Sequence, residues 1–429
     1  MYPMVDLAPM APVRAIAPDT HEQRLHVLIS AYACDPNRGS EPGVGWNWVK
    51  HLSKHCRLSV ITRANNRRSI QSWLQDHPLP DVRFYYVDPP SKLTFWKRKE
   101  RGLYLYYMTW QSMALRVARE VLAADPYDLA HHVTFASLHM PIFLQRLPVP
   151  FVFGPVGGGE MSCPQFWAGG GWRALAYERL RTWRMNTVRW DPLVQATLAE
   201  AVHILVTTPH TTSFIPERYA SKTTVMPTVG IEAVNDLPAP AATGDGPRIY
   251  AAGRLVHWKG FHLAIEAFAR IAPRFPNMTF TIVGDGPQRA ALERLADQSG
   301  FRERIRTMPW LSRTEVLALT QASDVLLYPS LHDSGSMVVL EAMAAGKPVI
   351  CLDTGGPGVM VTSECGVKVP VTTPENVVAD LADGLERVAA DRELRRRMGD
   401  AARARVHDRF TWERKAEQML PLYHGAVRA

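Results

Sequence analysis

The residues of this chain best suited to chemistry lie in one segment, Asp333-Ser334-Gly335-Ser336-Met337-Val338-Val339-Leu340-Glu341. It runs on through Ala342-Met343-Ala344-Ala345-Gly346-Lys347-Pro348 into the strand-like Val349-Ile350-Cys351-Leu352. Glu341 falls in a helix with apolar neighbours, and a carboxylate there is costly unless a polar group meets it. Gly346 and Pro348 punctuate the helix end, and the strand closes one αβ step. Neither Ser334 nor Ser336 is followed three residues on by Glu or Gln, so no capping box forms and the first helical N–H groups are open to an external anion. The segment suits a ligand with hydroxyls and phosphates; an ordinary αβ unit whose Glu finds a protein partner is the competing reading.

A second group lies in Gly253-Arg254-Leu255-Val256-His257-Trp258-Lys259-Gly260, between an apolar run and a helical pattern. Arg254 and Lys259, five residues apart in a βα loop, suit a diphosphate: Arg by its fork, Lys as a point charge, the helix start by its N–H groups. A pair of surface cations is the plain alternative. Gly43 and Gly45 are predicted to open a helix and permit close backbone approach, to a ligand or to a neighbouring strand. The run Gly154-Pro155-Val156-Gly157-Gly158-Gly159-Glu160 offers the same choice between approach to a sugar and a sharp turn. His131 and His132 stand near a strand end, where alternation sends them to opposite faces, so at most one is aimed at a cleft as a general acid or base. His139, His210 and His257 are weaker candidates. No Asp-x-Asp pair follows a strand, and no carboxylate cluster has spacing suited to Mg²⁺.

Short β-branched or aromatic runs at 25–30, 57–62, 82–87, 127–133, 151–153 and 202–207 alternate with longer helical patterns. A second such series occupies 248–252, 279–283, 324–328, 348–352 and 367–369. Apolar strands separated by helices predict parallel sheets covered on both faces, and the doubled series predicts two doubly wound domains. Three prolines and two glycines within 237–247 mark the join. The predicted organisation is a loose tail at 1–20, a first domain at 21–234, a linker at 235–247, a second domain at 248–408 and a final helix at 409–429. Ligands of such folds lie at the carboxyl ends of the strands, here in the cleft between two sheets.

The 429 residues are 46% hydrophobic and 21% charged, as in folded proteins. No apolar run of about 18 residues predicts a membrane span, and the first 20 residues lack a signal-peptide pattern. The five scattered cysteines read as reduced thiols. The net charge of +8 comes entirely from residues 1–230, with 25 Lys and Arg against 17 Asp and Glu. Two segments there mix cations with aromatics: Lys92 to Arg101 with Tyr104, Tyr106, Tyr107 and Trp110, and Trp172 to Trp190 with Arg173, Arg179, Arg181, Arg184 and Arg189. Such segments suit an anionic membrane surface, or a solvated basic face with its aromatics in the core. No nucleic-acid-binding motif accompanies the charge, and no nucleic-acid partner is expected.

Taken together, these residues resemble the retaining glycosyltransferases of family 4, the glycosyl transferases group 1, which have the GT-B fold. The resemblance runs from Leu25 onward and rests on Gly253-Arg254-Leu255 with Lys259-Gly260, Val283-Gly284-Asp285-Gly286-Pro287, Ala322-Ser323-Asp324-Val325 with Tyr328-Pro329-Ser330, and Asp333 to Glu341. Phe410-Thr411-Trp412 resembles the start of the family's last helix, which returns to the first domain. The α/β fold implied is GT-B, two Rossmann-like domains facing across a cleft, the first for the acceptor and the second for the nucleotide sugar.

The resemblance implies that Arg254 and Lys259 bind the diphosphate of a UDP- or GDP-linked sugar, that Glu341 binds the ribose hydroxyls and that Asp333 contacts the donor sugar. Most members carry Glu at that last position, so Asp333 bears on sugar choice. Gly43, Gly45, Gly253, Ser334, Gly335, Ser336 and Met337 complete the implied donor site. Members usually show His-x-His where this chain has His131-His132-Val133, which favours His132 slightly; their usual Asn-Gly before the linker is Val229-Gly230 here. The expected activity is metal-independent, cofactor-free hexosyl transfer with retention, the acceptor proton passing to the leaving phosphate. The expected acceptor is a polyprenyl-diphosphate-linked glycan in exopolysaccharide or cell-envelope assembly, and the expected location is cytoplasmic, peripheral on the inner face of the membrane. A soluble acceptor, a nucleotide-sugar 2-epimerase and a non-catalytic nucleotide-sugar binder are the alternatives.

Overall fold

The computed structural model describes residues 24–90, 102–135, 137–161, 163–167, 171–232 and 246–428. The predicted tail, the Lys92 to Arg101 segment and most of the predicted linker lie outside them. Seven strands, β1 (His26–Ser30), β2 (Arg57–Arg63), β3 (Val82–Val87), β4 (Leu129–His132), β5 (Phe151–Val156), β6 (Ala201–Val206) and β7 (Thr223–Val225), form one sheet. Its order is β3-β2-β1-β4-β5-β6-β7. Six more, β8 (Arg248–Ala252), β9 (Thr279–Val283), β10 (Ile305–Met308), β11 (Val325–Tyr328), β12 (Val349–Leu352) and β13 (Gly366–Val369), form a second sheet ordered β10-β9-β8-β11-β12-β13. Every pairing is parallel. The strand order reverses beside the first strand of each sheet, the crevice in which doubly wound folds bind ligands.

The central strands are fully buried, as β4, β11 and β12 show, and β11 and β12 are almost wholly apolar. The two strands not anticipated, β7 and β10, are edges with partly exposed residues. Edge strands have one neighbour and no need of a continuous apolar run, which is the run by which the others are recognised. A further difference concerns Gly43 and Gly45. The helix starts earlier, at Ser40 (Ser40–Leu52), because Pro42 sits in its first turn, where its missing N–H costs nothing. Both glycines are therefore inside the helix.

The last helix, Trp412–Arg428, returns to the first sheet. Ile231 and Thr411 pair as a parallel bridge, Tyr423 hydrogen-bonds His131 at 2.6 Å, and Trp412 meets Trp48 edge-on with ring centres 5.7 Å apart.

Candidate active site

The loop after β8 and the loop after β11 meet at the carboxyl end of the second sheet. Their contact requires Gly260: its φ is +68°, and a Cβ there would lie 2.0 Å from the Pro329 carbonyl oxygen. That approach carries Lys259 onto Asp333 and Tyr328. The Lys259 ammonium donates to Asp333 Oδ2 and to the Tyr328 hydroxyl, which in turn donates to Asp333 Oδ2 at 2.7 Å. Ser336 Oγ donates to the same oxygen at 2.6 Å.

Burial would by itself push the Asp333 carboxyl up, but the Lys259 ammonium and the two hydroxyl donors outweigh it and hold it below the usual range. Burial likewise disfavours the Lys259 charge, yet the Tyr328 and Asp333 oxygens raise its pKa. Tyr328 is pushed up to about 12, first by burial and then by Asp333. The phenol therefore stays neutral between an ammonium and a carboxylate. Because Ser336 turns to Asp333, it gives the helix Met337–Ala344 no side-chain cap, and the first N–H groups of that helix point out of its start. On the far side, a Cβ on Gly355 would lie 2.3 Å from the Asp333 carbonyl oxygen, and the Gly356 N–H donates to that oxygen at 2.6 Å.

Arg254 is exposed and, among the described residues, its guanidinium has no hydrogen bond or ion pair. The two cations therefore do not converge on one protein partner: Lys259 is engaged and Arg254 faces solvent. Glu341 is buried and accepts from Arg313 Nε at 2.9 Å. Burial raises its pKa, and the Arg313 guanidinium opposes that rise. Arg313 opens a helix marked by the Ser312/Glu315 capping box; the box fixes where the helix begins, but nothing local foretells a partner 28 residues away.

His131, His132, Gly43 and Gly45 all pack closely within the first domain. His131 and His132 do point to opposite faces, but both are fully buried and both use both ring nitrogens. His131 donates from Nε2 to the Gly154 carbonyl at 2.7 Å and accepts at Nδ1 from Tyr423. His132 bonds Ser30 Oγ and the Tyr107 hydroxyl, each at 3.0 Å. His132 braces the end of β4, where β1 and the helix Leu103–Ala124 close over it. At Gly43 and Gly45 added Cβ atoms would meet the Arg38 and Ala33 carbonyl oxygens at 2.5 and 2.0 Å, so the chain packs closely at both positions.

Burial lowers the pKa of His131 to about 4 and of His132 to about 3. A neutral folded histidine stabilises fully above its unfolded pKa of about 6.5, and that contribution is lost as pH falls towards the folded value. Urea midpoints are therefore expected to drop between pH 7 and pH 4, and His131→Asn should flatten that slope.

Across the cleft, Gly157 comes to the donor-side loop: a Cβ on it would lie 3.2 Å from Ser334 Cβ. The helix Gly171–Thr187 also reaches over, with Glu178 bonding His332 Nε2 at 3.2 Å and Tyr177 stacked on Trp258. Among the described residues, no group of three His, Cys, Asp or Glu is placed to hold a metal ion.

Two parallel doubly wound sheets with a closing C-terminal helix and a site between their carboxyl edges make this a GT-B fold. Residues 235–405 match the model of the family described as Glycosyl transferases group 1. It is 35% identical over 159 residues to the 2-deoxystreptamine glucosyltransferase of Streptomyces kanamyceticus, covering 34% of this chain and 41% of that protein. It is 32% identical over 179 residues to the lipopolysaccharide core biosynthesis glycosyltransferase LpsE of Rhizobium meliloti, covering 42% and 50%. The chain thus spans half or less of the length of these relatives. Anabaena HepE in complex with UDP and glucose superposes with a TM-score of 0.59 at 16% identity, over 94% of this chain and all of that one, which shows a shared fold.

Proposed function

We propose that the protein transfers a hexosyl group from a UDP- or GDP-linked sugar to a hydroxyl, with retention at the anomeric carbon. The observation that carries this is the Lys259–Asp333–Tyr328–Ser336 constellation beside an uncapped helix start, in a domain of the glycosyl transferases group 1 type. As the glycosidic bond breaks, negative charge grows on the diphosphate. Lys259, the solvent-facing Arg254 and the N–H groups at Met337 stand where they stabilise it, in the role a metal ion takes in other sites. Asp333, with Ser334 and Gly335, faces the donor sugar, Gly253 lets the phosphates approach the strand end, and Glu341 meets the ribose by exchanging or sharing Arg313. The acceptor attacks from the same face and its proton leaves on the phosphate.

A thermal-shift screen of nucleoside diphosphate sugars tests this reading. A ligand at a hundred times its Kd adds about 2.7 kcal/mol to the folded state, so one donor should raise Tm by several degrees, and the rise should shrink in Glu341→Ala. No shift with any UDP or GDP sugar would sink the proposal.

The acceptor proposed is a lipid-linked glycan in exopolysaccharide or cell-envelope assembly, met at the cytoplasmic face of an anionic membrane. Supporting this, the helix Gly171–Thr187 turns Trp172, Leu180 and Trp183 outward at 74, 59 and 63% exposure, and Trp190 follows at 78%. Exposed Arg179 and Arg189 lie among them. Such a surface seats aromatics at the interface and cations on head groups. The relative LpsE is named for lipopolysaccharide core biosynthesis. Among the described residues, no helix is long and apolar enough to cross a membrane. Sedimentation with phosphatidylglycerol vesicles should bind the protein, and Leu180→Ser with Trp183→Ser should release most of it; equal binding by the variant would refute this surface.

A further inference from the structure

An adjoining face of the helix Gly171–Thr187 carries cations that the donor chemistry does not use. Arg181 Nη2 donates to the Gly158 carbonyl at 3.1 Å, while its Nη1 is buried with no hydrogen-bond partner among the described residues. His139 is in the same state: Nδ1 bonds Ser137 Oγ at 2.9 Å and Nε2 is buried and unpartnered. Arg181 and Arg184 both lie near enough to this imidazole to disfavour its charged form, which burial disfavours most. Arg184 stacks on the Tyr104 ring with its Cζ 4.2 Å from the centre, and Tyr104 in turn covers His139.

Among the described residues, no carboxylate forms an ion pair with Arg181 or Arg184. Glu160, in the adjoining loop, accepts from Thr207, Thr208 and Thr211 and from the Gly158 N–H, and Glu178 bonds His332. Two guanidinium groups with no ion-paired carboxylate among the described residues, and the buried Arg181 Nη1 and His139 Nε2 without partners, each cost free energy that an anion would recover once Ser137 donates to Nδ1 and the imidazole proton sits on Nε2. The place is also specific. Ser137 pairs with Gly157 as a parallel bridge, and Gly157 touches the Ser334 loop, so the cluster is one residue beyond the contact between the glycine-rich loop and the donor loop. Tyr104, 45% exposed, lies between His139 and solvent.

We propose that Arg181, Arg184 and His139 form an anion subsite that holds a phosphate of the acceptor beside the donor sugar. The inference rests on the transferase reading for its word acceptor, but the binding it asserts is independent of any nucleotide sugar. The phosphate belongs either to a free phosphorylated hydroxyl compound or to a lipid head group; Nη1 and the imidazole recognise both by the same bonds.

The test uses the full chain carrying Lys259→Ala, which removes a donor-side cation, and no nucleotide sugar. Calorimetric titration with glycerol 3-phosphate should give binding that unphosphorylated glycerol does not, weakened about tenfold or more by Arg181→Gln and by Arg184→Gln, as loss of a charge-assisted bond predicts. His139→Asn, a change in the partly exposed loop, gives a second reading should either arginine variant fail to fold. In a parallel arm, phosphatidic acid vesicles are compared with phosphatidylcholine vesicles: arginine-dependent binding there assigns the phosphate to a head group, and its restriction to glycerol 3-phosphate assigns it to a free acceptor. Absence of phosphate binding in both arms, or binding indifferent to all three substitutions, overturns the subsite. Failure of the donor screen with phosphate binding intact would overturn only the transferase reading.

Discussion

Lys259→Ala is expected to lower glycosyl transfer by about a hundredfold to a thousandfold, the effect of removing one preorganised donor to a developing oxyanion. The loss should fall mainly on kcat, since the charge on the diphosphate is greatest as the glycosidic bond breaks. Lys259→Arg should not restore it. The ammonium reaches Asp333 and Tyr328 from a side chain only 16% exposed, and a planar fork does not occupy the space of a compact point charge. Product formation by Lys259→Ala at more than a tenth of the wild-type rate would remove Lys259 from the mechanism.

The second large effect is on stability. Asp333→Ala leaves the Lys259 ammonium buried without its carboxylate, which costs about 3–5 kcal/mol in such settings. The double variant Lys259→Ala, Asp333→Ala should be more stable than Asp333→Ala alone, because it removes the stranded charge. Denaturation of the four proteins in urea measures the coupling directly; strict additivity would show that the pair is energetically idle. The pH window follows from the two shifts. The folded carboxyl of Asp333 lies below its unfolded value, so its contribution is present above about pH 3.9 and lost as pH falls through the folded pKa. The folded Lys259 lies above its unfolded value, so its contribution is full below about pH 10.4 and lost as pH rises through the folded pKa. The coupling should therefore be constant across the neutral range and disappear at both extremes.

Much of the site was legible one element at a time. The alternation of apolar runs and helical patterns specified two parallel doubly wound sheets, because strands buried on both faces must be continuously apolar. The lack of a capping box at Ser336 is readable from the absence of Glu or Gln three residues on, whereas the lack of any side-chain cap follows only from the Ser336 hydroxyl turning to Asp333. Asp333 and Lys259 were singled out separately. Tyr328 was noticed only as part of Tyr328-Pro329-Ser330, although its hydroxyl stands between them.

What the sequence by itself determined was the period of the buried strands, the approximate ends of most of them and the residue types available at the strand ends, since these depend on backbone geometry and on neighbours a few positions away. What only the tertiary structure decided was partnership. It joined Lys259 to Asp333 across 74 positions and Glu341 to Arg313 across 28, it turned both His131 and His132 into braces, and it filled the spaces at Gly43 and Gly45 with the chain's own carbonyls. Close packing fixes which donor meets which acceptor, and packing is set by segments that the order of residues keeps far apart.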